Sequence, residues 1–343
     1  MSSQITIALD CMGGDNAPTS VIEGANLSLS QTNEDVFFLL YGDEQKIEKL
    51  LFDKPELKEH SKVIHCSNYV KSDTPPHIAV REKDTSMKKA IESLKNGEAG
   101  GMISAGNTGA YMALAKIVLK TIDGIERPAL IQLLPNFLGT STALLDMGAN
   151  LECDSVNLFQ FALMGVAFYE SINNYTNPKV AILNIGSEDI KGSDSIKNAN
   201  LMLKESLLKD NFKGYIEGDD MLKGDINVIV TDGFTGNVAL KSIEGVSKLF
   251  SLMIKDGFRS SIFAIIGYLF ARNGINKAKK RMDHKRYNGA MLVGVNGIVV
   301  KSHGNADGLS YSFAILNTIN LVKNRINDKI FEYAKINETD EII

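Results

Sequence analysis

Cysteine is scarce in this chain, and its three copies, Cys11, Cys66 and Cys153, share neither a metal-ligand spacing nor an even-numbered framework. That excludes a disulfide-stapled scaffold and a thiolate zinc site, and it suits a reducing cytoplasm. No sign of charge dominates either: a net charge of -4 excludes nucleic-acid affinity over the whole surface, so any basic patch is local. Long apolar runs are missing. The most concentrated, "IFAIIGYLFA" at 262–271, falls short of the roughly 20 residues that cross a bilayer. The opening "MSSQITIALD" has no basic segment followed by an apolar one, so no signal peptide is expected. A serine elbow, a His-x-x-x-His pair and a Walker lysine are also absent, and no metal or cofactor is expected. Only 7 prolines against 29 glycines, with 44% hydrophobic residues, describe an ordinary globular protein whose 343 residues can bury a sizeable core.

What the chain does have is one device used repeatedly. A short Val/Ile/Leu run ends in a loop of Gly, Asn and Asp, and a helix follows. The runs end at Leu9, Ala105, Leu145, Leu183 and Val230, and the loops are "DCMGGDNAP", "GNTG", "DMGAN", "NIGSEDIKGSD" and "TDGFTGN". Continuous apolar runs are strands buried on both faces, and their alternation with helices predicts crossovers and a mostly parallel sheet. The expected fold is a Rossmann-like, doubly wound α/β body over residues 1–330, with no long linker inside it and a tail over 331–343. In such a sheet the loops gather beyond the carboxyl ends of the strands, so all five are expected at one edge around one polar pocket. The stretch 53–80, polar and containing "SDTPPH", is expected to be irregular.

Candidate chemistry follows from these loops. Helix N-termini favour anions, which makes the backbone at Gly13, Gly14 and Gly109 candidate phosphate-binding surface. Asn107, Asn150 and Asn237 stand at loop ends, where asparagine either contacts substrate or caps a helix. Lys191 is a lone lysine in the loop after "NIG"; it holds an anion or is simply solvated. Lys301 and His303 fall together in a Gly-rich loop after a pair of C-terminal strands. Asp10, Asp15 and Asp232 read as scaffold carboxylates, because direct contact with phosphate would repel. Cys11 lies near a helix start, where thiols acidify, or closes a strand as a small buried residue. The set suits holding an anion and polarising a carbonyl without covalent catalysis.

Taken together, "ALDCMGGDNAP", "SAGNTGA", "LDMGAN", "NIGSED", "TDGFTGNVALK" and "LVGVNGIVVKSHGNAD" resemble the signatures of the PlsX family, bacterial acyl-ACP:phosphate acyltransferases. The matches run in order from residue 8 to about 310. The resemblance implies a fold related to phosphotransacetylases and isopropylmalate-dehydrogenase-like enzymes. It also implies that a fatty acyl group on acyl carrier protein reacts with inorganic phosphate to give acyl phosphate for phospholipid synthesis. It further implies a homodimer, cytoplasmic and peripherally bound to the inner membrane, with a membrane-embedded glycerol-3-phosphate acyltransferase downstream. Carried over by position, the family's catalytic lysine falls on Lys191 and its asparagine on Asn237. Cys11 stands where the family has a small residue, which argues against a nucleophile. A phosphotransacetylase acting on acyl-CoA, or a surface scaffold without activity, are the alternatives.

Residues 255–286 read differently. Ile262, Ile265, Ile266, Leu269 and Phe270 form a helical stripe, and Arg272 to Arg286 then holds seven Lys/Arg, among them Lys279, Lys280 and Arg281, against one acid. This is either a core or dimer helix with a solvated basic face, or a protrusion meeting an anionic membrane surface. An acidic carrier protein would suit the same basic residues.

Overall fold

The computed structural model describes residues 4–340 except 174 and 283, without the side chains of 280–284 and 337–340. Its strands are β1 (Ile5–Asp10), β2 (Val36–Gly42), β3 (Ser61–His65), β4 (Gly101–Ser104), β5 (Ala129–Pro135), β6 (Ser141–Leu145), β7 (Val180–Leu183), β8 (Phe212–Ile216), β9 (Val228–Val230), β10 (Ala290–Val293) and β11 (Ile298–Lys301). They form one sheet in the order β3-β2-β1-β4-β11-β10-β5-β6-β9-β7-β8. The helices are α1 (Thr19–Leu29), α2 (Glu44–Leu51), α3 (Pro55–Glu59), α4 (Pro76–Ala79), α5 (Ser86–Lys95), α6 (Thr108–Leu119), α7 (Ser155–Asn173), α8 (Asp194–Glu205), α9 (Gly233–Gly257), α10 (Ile262–Met282), α11 (Gly308–Lys323) and α12 (Ile326–Asp340).

Strand side chains alternate between two cores, one on each face of the sheet. Ile7, Leu9, Phe38, Leu40, Val180 and Val228 pack with residues of α1, α7, α8, α11 and α12. Ala8, Leu39, Met102, Leu144, Ala181 and Ile229 pack with α5, α6 and the start of α9 on the other face. Both faces are covered, which is why the sequence runs are apolar throughout rather than alternating. The expected strand ends agree with the sheet to within a residue. Two local expectations differ. Strand β3, with α3 and α4, occupies the stretch expected to be irregular: its partner β2 supplies the ladder that polar residues alone do not advertise. Within the stretch set apart as a tail, residues 331–340 complete α12, whose Ile330 and Ala334 are buried.

A larger difference concerns direction. Most neighbours pair in parallel, but β10 is antiparallel to both β11 and β5, and β5 is antiparallel to β6. Residues 136–140 join β5 to β6, too short a connection for a crossover, so the chain turns back on itself. Consequently β6, β9, β7 and β8 run opposite to β1, β2, β3, β4 and β11. The five loops therefore leave from two opposite strand edges, not one. Twist reduces the separation. With about 20–25° between neighbours, the six steps from β1 to β9 accumulate roughly 120–150°, so the carboxyl ends of these two opposed strands point to the same side, across a saddle on the order of 29 Å wide.

Candidate active site

One group of loops follows β1, β4 and β11. Asp10 ends β1, is buried, and accepts hydrogen bonds from Ser86 Oγ (2.6 Å), Ser104 Oγ (2.7 Å) and the Met12 N–H (3.3 Å). Burial raises its pKa, opposed by those hydroxyls, the N–H and Lys301. A Cβ at Gly13 would lie 2.5 Å from Asp10 Oδ2, and Gly14 has φ +104, so neither position tolerates a side chain. The loop is then zipped to the one after β11: the Asp15 N–H donates to Gly304 O (2.8 Å), and Asn16 Nδ2 donates to the carbonyls of Asn305 and Ala306.

Lys301 ends β11 with its ammonium donating to Ser302 O, and Asp10 and Asp15 face it. Burial lowers its pKa to about 8 against the pull of both carboxylates. Buried Asn288 positions the next residues, donating to Ser302 Oγ (2.8 Å) and accepting from the His303 N–H (3.0 Å). Asn107 is engaged on both ends. Its Oδ1 caps α6 at the Ala110 N–H (3.0 Å), while Nδ2 donates to the carbonyls of Ser72 and Thr74, each at 2.9 Å. Its side chain thus clamps a loop, and only the backbone here remains for an anion. At Gly109 a Cβ would be 3.0 Å from Pro76 Cγ, so the glycine lets the same loop close on α6.

The second group follows β6, β7 and β9. Asp146, fully buried, accepts from five donors: the N–H groups of Leu130, Gly148, Ala149 and Asn150, and Asn150 Nδ2. Burial raises its pKa, and these bonds oppose the rise. Asn150 also donates to Pro128 O (2.8 Å), so its amide braces the loop. Helix α9 starts directly on this loop. The Gly233 N–H donates to Asn150 O (2.7 Å), and a Cβ at Gly236 would stand 1.9 Å from Asp146 O. Asp232 caps α9, accepting from the N–H and hydroxyl of Thr235, each at 2.8 Å. One turn on, Asn237 is exposed beside Gly148, and its side chain makes none of the described hydrogen bonds.

Lys191 lies in the next loop, after β7. Buried Asn184 shapes that loop by donating to Lys191 O (3.3 Å) and accepting from the Ile185 N–H (2.9 Å). Ser193 then caps α8. The Lys191 side chain is exposed. An exposed cation on the loop after β7 and an unpaired side-chain amide near the start of α9 thus follow neighbouring strands, each by a helix start where an anion is favoured. That arrangement can hold an oxyanion.

Sequence reasoning missed Asp146, Ser86, Ser104, Asn184 and Asn288. For Asp146 a signal existed: "LLDMG" at 144–148 repeats the "ALDCMG" of 8–13, an aspartate closing a buried strand before a glycine turn. Cys11 is fully buried with its thiol pKa well raised by burial and by Asp10, the opposite of an activated nucleophile. Among the described residues no cluster of His, Cys, Asp and Glu could hold a metal ion. An open cleft of about 400 Å³, lined in part by Gly100, Gly297 and Phe331, lies at the amino ends of β4 and β11, away from both groups.

The fatty acid synthesis protein family matches residues 5–329. A phosphate acyltransferase of Rhodospirillum rubrum is 46% identical over 338 residues, covering 98% of this chain and 96% of that one. One from Ehrlichia canis is 44% identical over 331 residues, 96% of this chain and 98% of its own. Among solved structures, a phosphotransacetylase from Streptococcus pyogenes superposes with a TM-score of 0.61 at 18% identity, covering 95% of each chain. The EutD phosphotransacetylase of Staphylococcus aureus gives 0.55 at 17%, covering 97% of this chain and 94% of the other.

Proposed function

This chain belongs to the fatty acid synthesis protein family, in the PlsX branch of phosphate acyltransferases, and on that premise we propose that its acyl donor is a fatty acyl group on acyl carrier protein. Inorganic phosphate attacks the thioester carbonyl, the tetrahedral oxyanion collapses, and the carrier thiolate leaves. The products are acyl phosphate and free carrier.

Lys191, with the first-turn N–H groups of α8 and α9 that the caps leave open, holds phosphate, which needs positioning more than deprotonation near neutral pH. Asn237 donates to the developing oxyanion; losing one such donor typically costs about 10²–10³ in rate. Much of the remaining acceleration comes from fixing two bound substrates in register. Across the saddle, Lys301, His303 and the backbone at 13–14 and 109 form a second anion-holding pole for substrate. Asp10, Asp15 and Asp232 hold loops, and the buried, multiply bonded Asp146 joins them. The observation that carries the reading is the exposed Lys191 after β7 and the unpaired Asn237 side chain near the start of α9, after the neighbouring β9, in a chain 46% identical to a phosphate acyltransferase.

Helices α9 and α10 support the membrane part of the proposal. Ile262, Ile265 and Leu269 are exposed on α10, with Lys279 exposed further along; the side chains of Lys280 and Arg281 lie outside the described ones. No described helix is long and apolar enough to cross a membrane. We assign a homodimer acting at the cytoplasmic face of the inner membrane, feeding phosphatidic acid synthesis through a membrane-embedded glycerol-3-phosphate acyltransferase. The deciding experiment incubates the protein with phosphate and either acyl-ACP or acyl-CoA. Acyl phosphate formed with a clear preference for acyl-ACP is expected; preference for acyl-CoA would make it a phosphotransacetylase in activity, and no phosphate-dependent thioester loss would make it a scaffold.

A further inference from the structure

The loops that carry Asp146 and Lys191, and the start of α9 that Asp232 caps, also carry apolar side chains turned to solvent. Ile185 and Ile190 are each 80% exposed, Leu151 is 73% and Phe234 is 63%, with Val238 one turn beyond Phe234. These segments leave neighbouring parallel strands, β6, β9 and β7, at one edge of the sheet. Isolated exposed apolar residues need no explanation, but several in two loops and one helix start around one pair of functional groups do. Phe234 lies three residues before Asn237, and Ile190 directly precedes Lys191.

We infer that Leu151, Ile185, Ile190, Phe234 and Val238 form the bed on which the hydrocarbon chain of the acyl donor lies, and that they set its chain-length preference. This rests on the phosphate acyltransferase reading above. The geometric reason is that the chain begins at the carbonyl whose oxygen Asn237 receives, next to the phosphate on Lys191, so its first methylenes run over the surface around those two residues. A second reason separates this patch from the apolar tip of the α9–α10 hairpin. Helix α9 runs from Gly233 to Gly257, which at 1.5 Å per residue puts its start roughly 37 Å from that tip. One membrane contact at the tip does not account for both surfaces.

The test measures kcat/KM for acetyl, octanoyl and palmitoyl thioesters of one carrier protein, with inorganic phosphate. The wild type is expected to favour palmitoyl over acetyl. Phe234→Ser and Ile185→Ser should each lower the palmitoyl-to-acetyl ratio by about tenfold, the range expected when a large apolar side chain is no longer covered. Phe234→Leu, which keeps the apolar surface, should retain most of the ratio, and thermal melting confirms that each variant is folded. An equal loss at every chain length, or no loss, overturns the inference. So does a shift in oligomeric state by light scattering, which would assign the patch to a second copy of the chain. If the wild type forms no acyl phosphate from any donor, it is the underlying reading that fails.

Discussion

Lys191 and Lys301 illustrate how residues of one type separate by environment. Lys191 is exposed on a loop, placed through the Asn184 side chain that grips its carbonyl. Lys191→Ala should therefore fold normally and lose about 10²–10³ of its turnover, the cost of one anion-stabilising donor; near-wild-type acyl phosphate formation by a folded variant would remove Lys191 from the mechanism. Lys301 is half-buried between carboxylates with a pKa near 8, so its charge is lost as pH rises through about 8. The KM for the acyl donor, whose anionic part the Lys301 pole holds, should accordingly increase above that pH, and a Lys301→Ala enzyme should start from a raised donor KM and lack this limb. The sign for stability is the reverse. Between about 8 and the ordinary lysine value the unfolded chain binds more protons, so the Lys301 contribution to stability rises with pH across that window. Cys11→Ala should keep most activity, with no acyl-enzyme detected by mass spectrometry, because a fully buried thiol with a raised pKa is no nucleophile.

At the scale of elements, α9 links the site to the surface. Its first turn is locked onto the Asp146 loop at Gly233 and Gly236, where a side chain would meet backbone, whereas Val246, Leu249, Phe250 and Met253 farther along are exposed. The hairpin is closed by α10, with the rings of Phe258 and Tyr268 5.3 Å apart. Apolar side chains of this size contribute about 1.5–3 kcal/mol each when buried, and a basic residue near an anionic surface adds about 1 kcal/mol. Replacing Ile265 and Leu269 by Glu should thus release the protein from anionic vesicles in a sedimentation assay while activity on acyl-ACP persists. Raised salt should weaken wild-type binding. A double variant that still sediments, or whose oligomeric state differs from that of the wild type, would make the hairpin structural instead.

The whole molecule is one sheet whose N-terminal half is finished by the C-terminal end of the chain. Strand β11 pairs with β4, α11 packs against α1, and Asp15 bonds to Gly304. A chain ending at Asn288 would expose the edge of β4 and the apolar face of α1. We expect such a truncation to be insoluble or to lack a cooperative unfolding transition, as measured by circular dichroism; a well-folded product would mean that the two halves are independent.

By itself the sequence determined the repeated strand–loop–helix units, where the five strands that open them end, and the family. All of these are local, since buried strands read as apolar runs and loop glycines answer to steric demands within a few residues. What only the tertiary structure decided is direction and partnership. The β5–β6 turn reverses half the sheet and divides five loops of similar composition between two edges, a division that their composition does not encode. Asp10 meets Ser86 across 76 positions and Ser104 across 94, and Asn107 is taken up by a loop more than thirty residues earlier. Such contacts depend on which strands become neighbours, and that follows from burying both faces of a single sheet, an energy of the whole chain that no short segment carries.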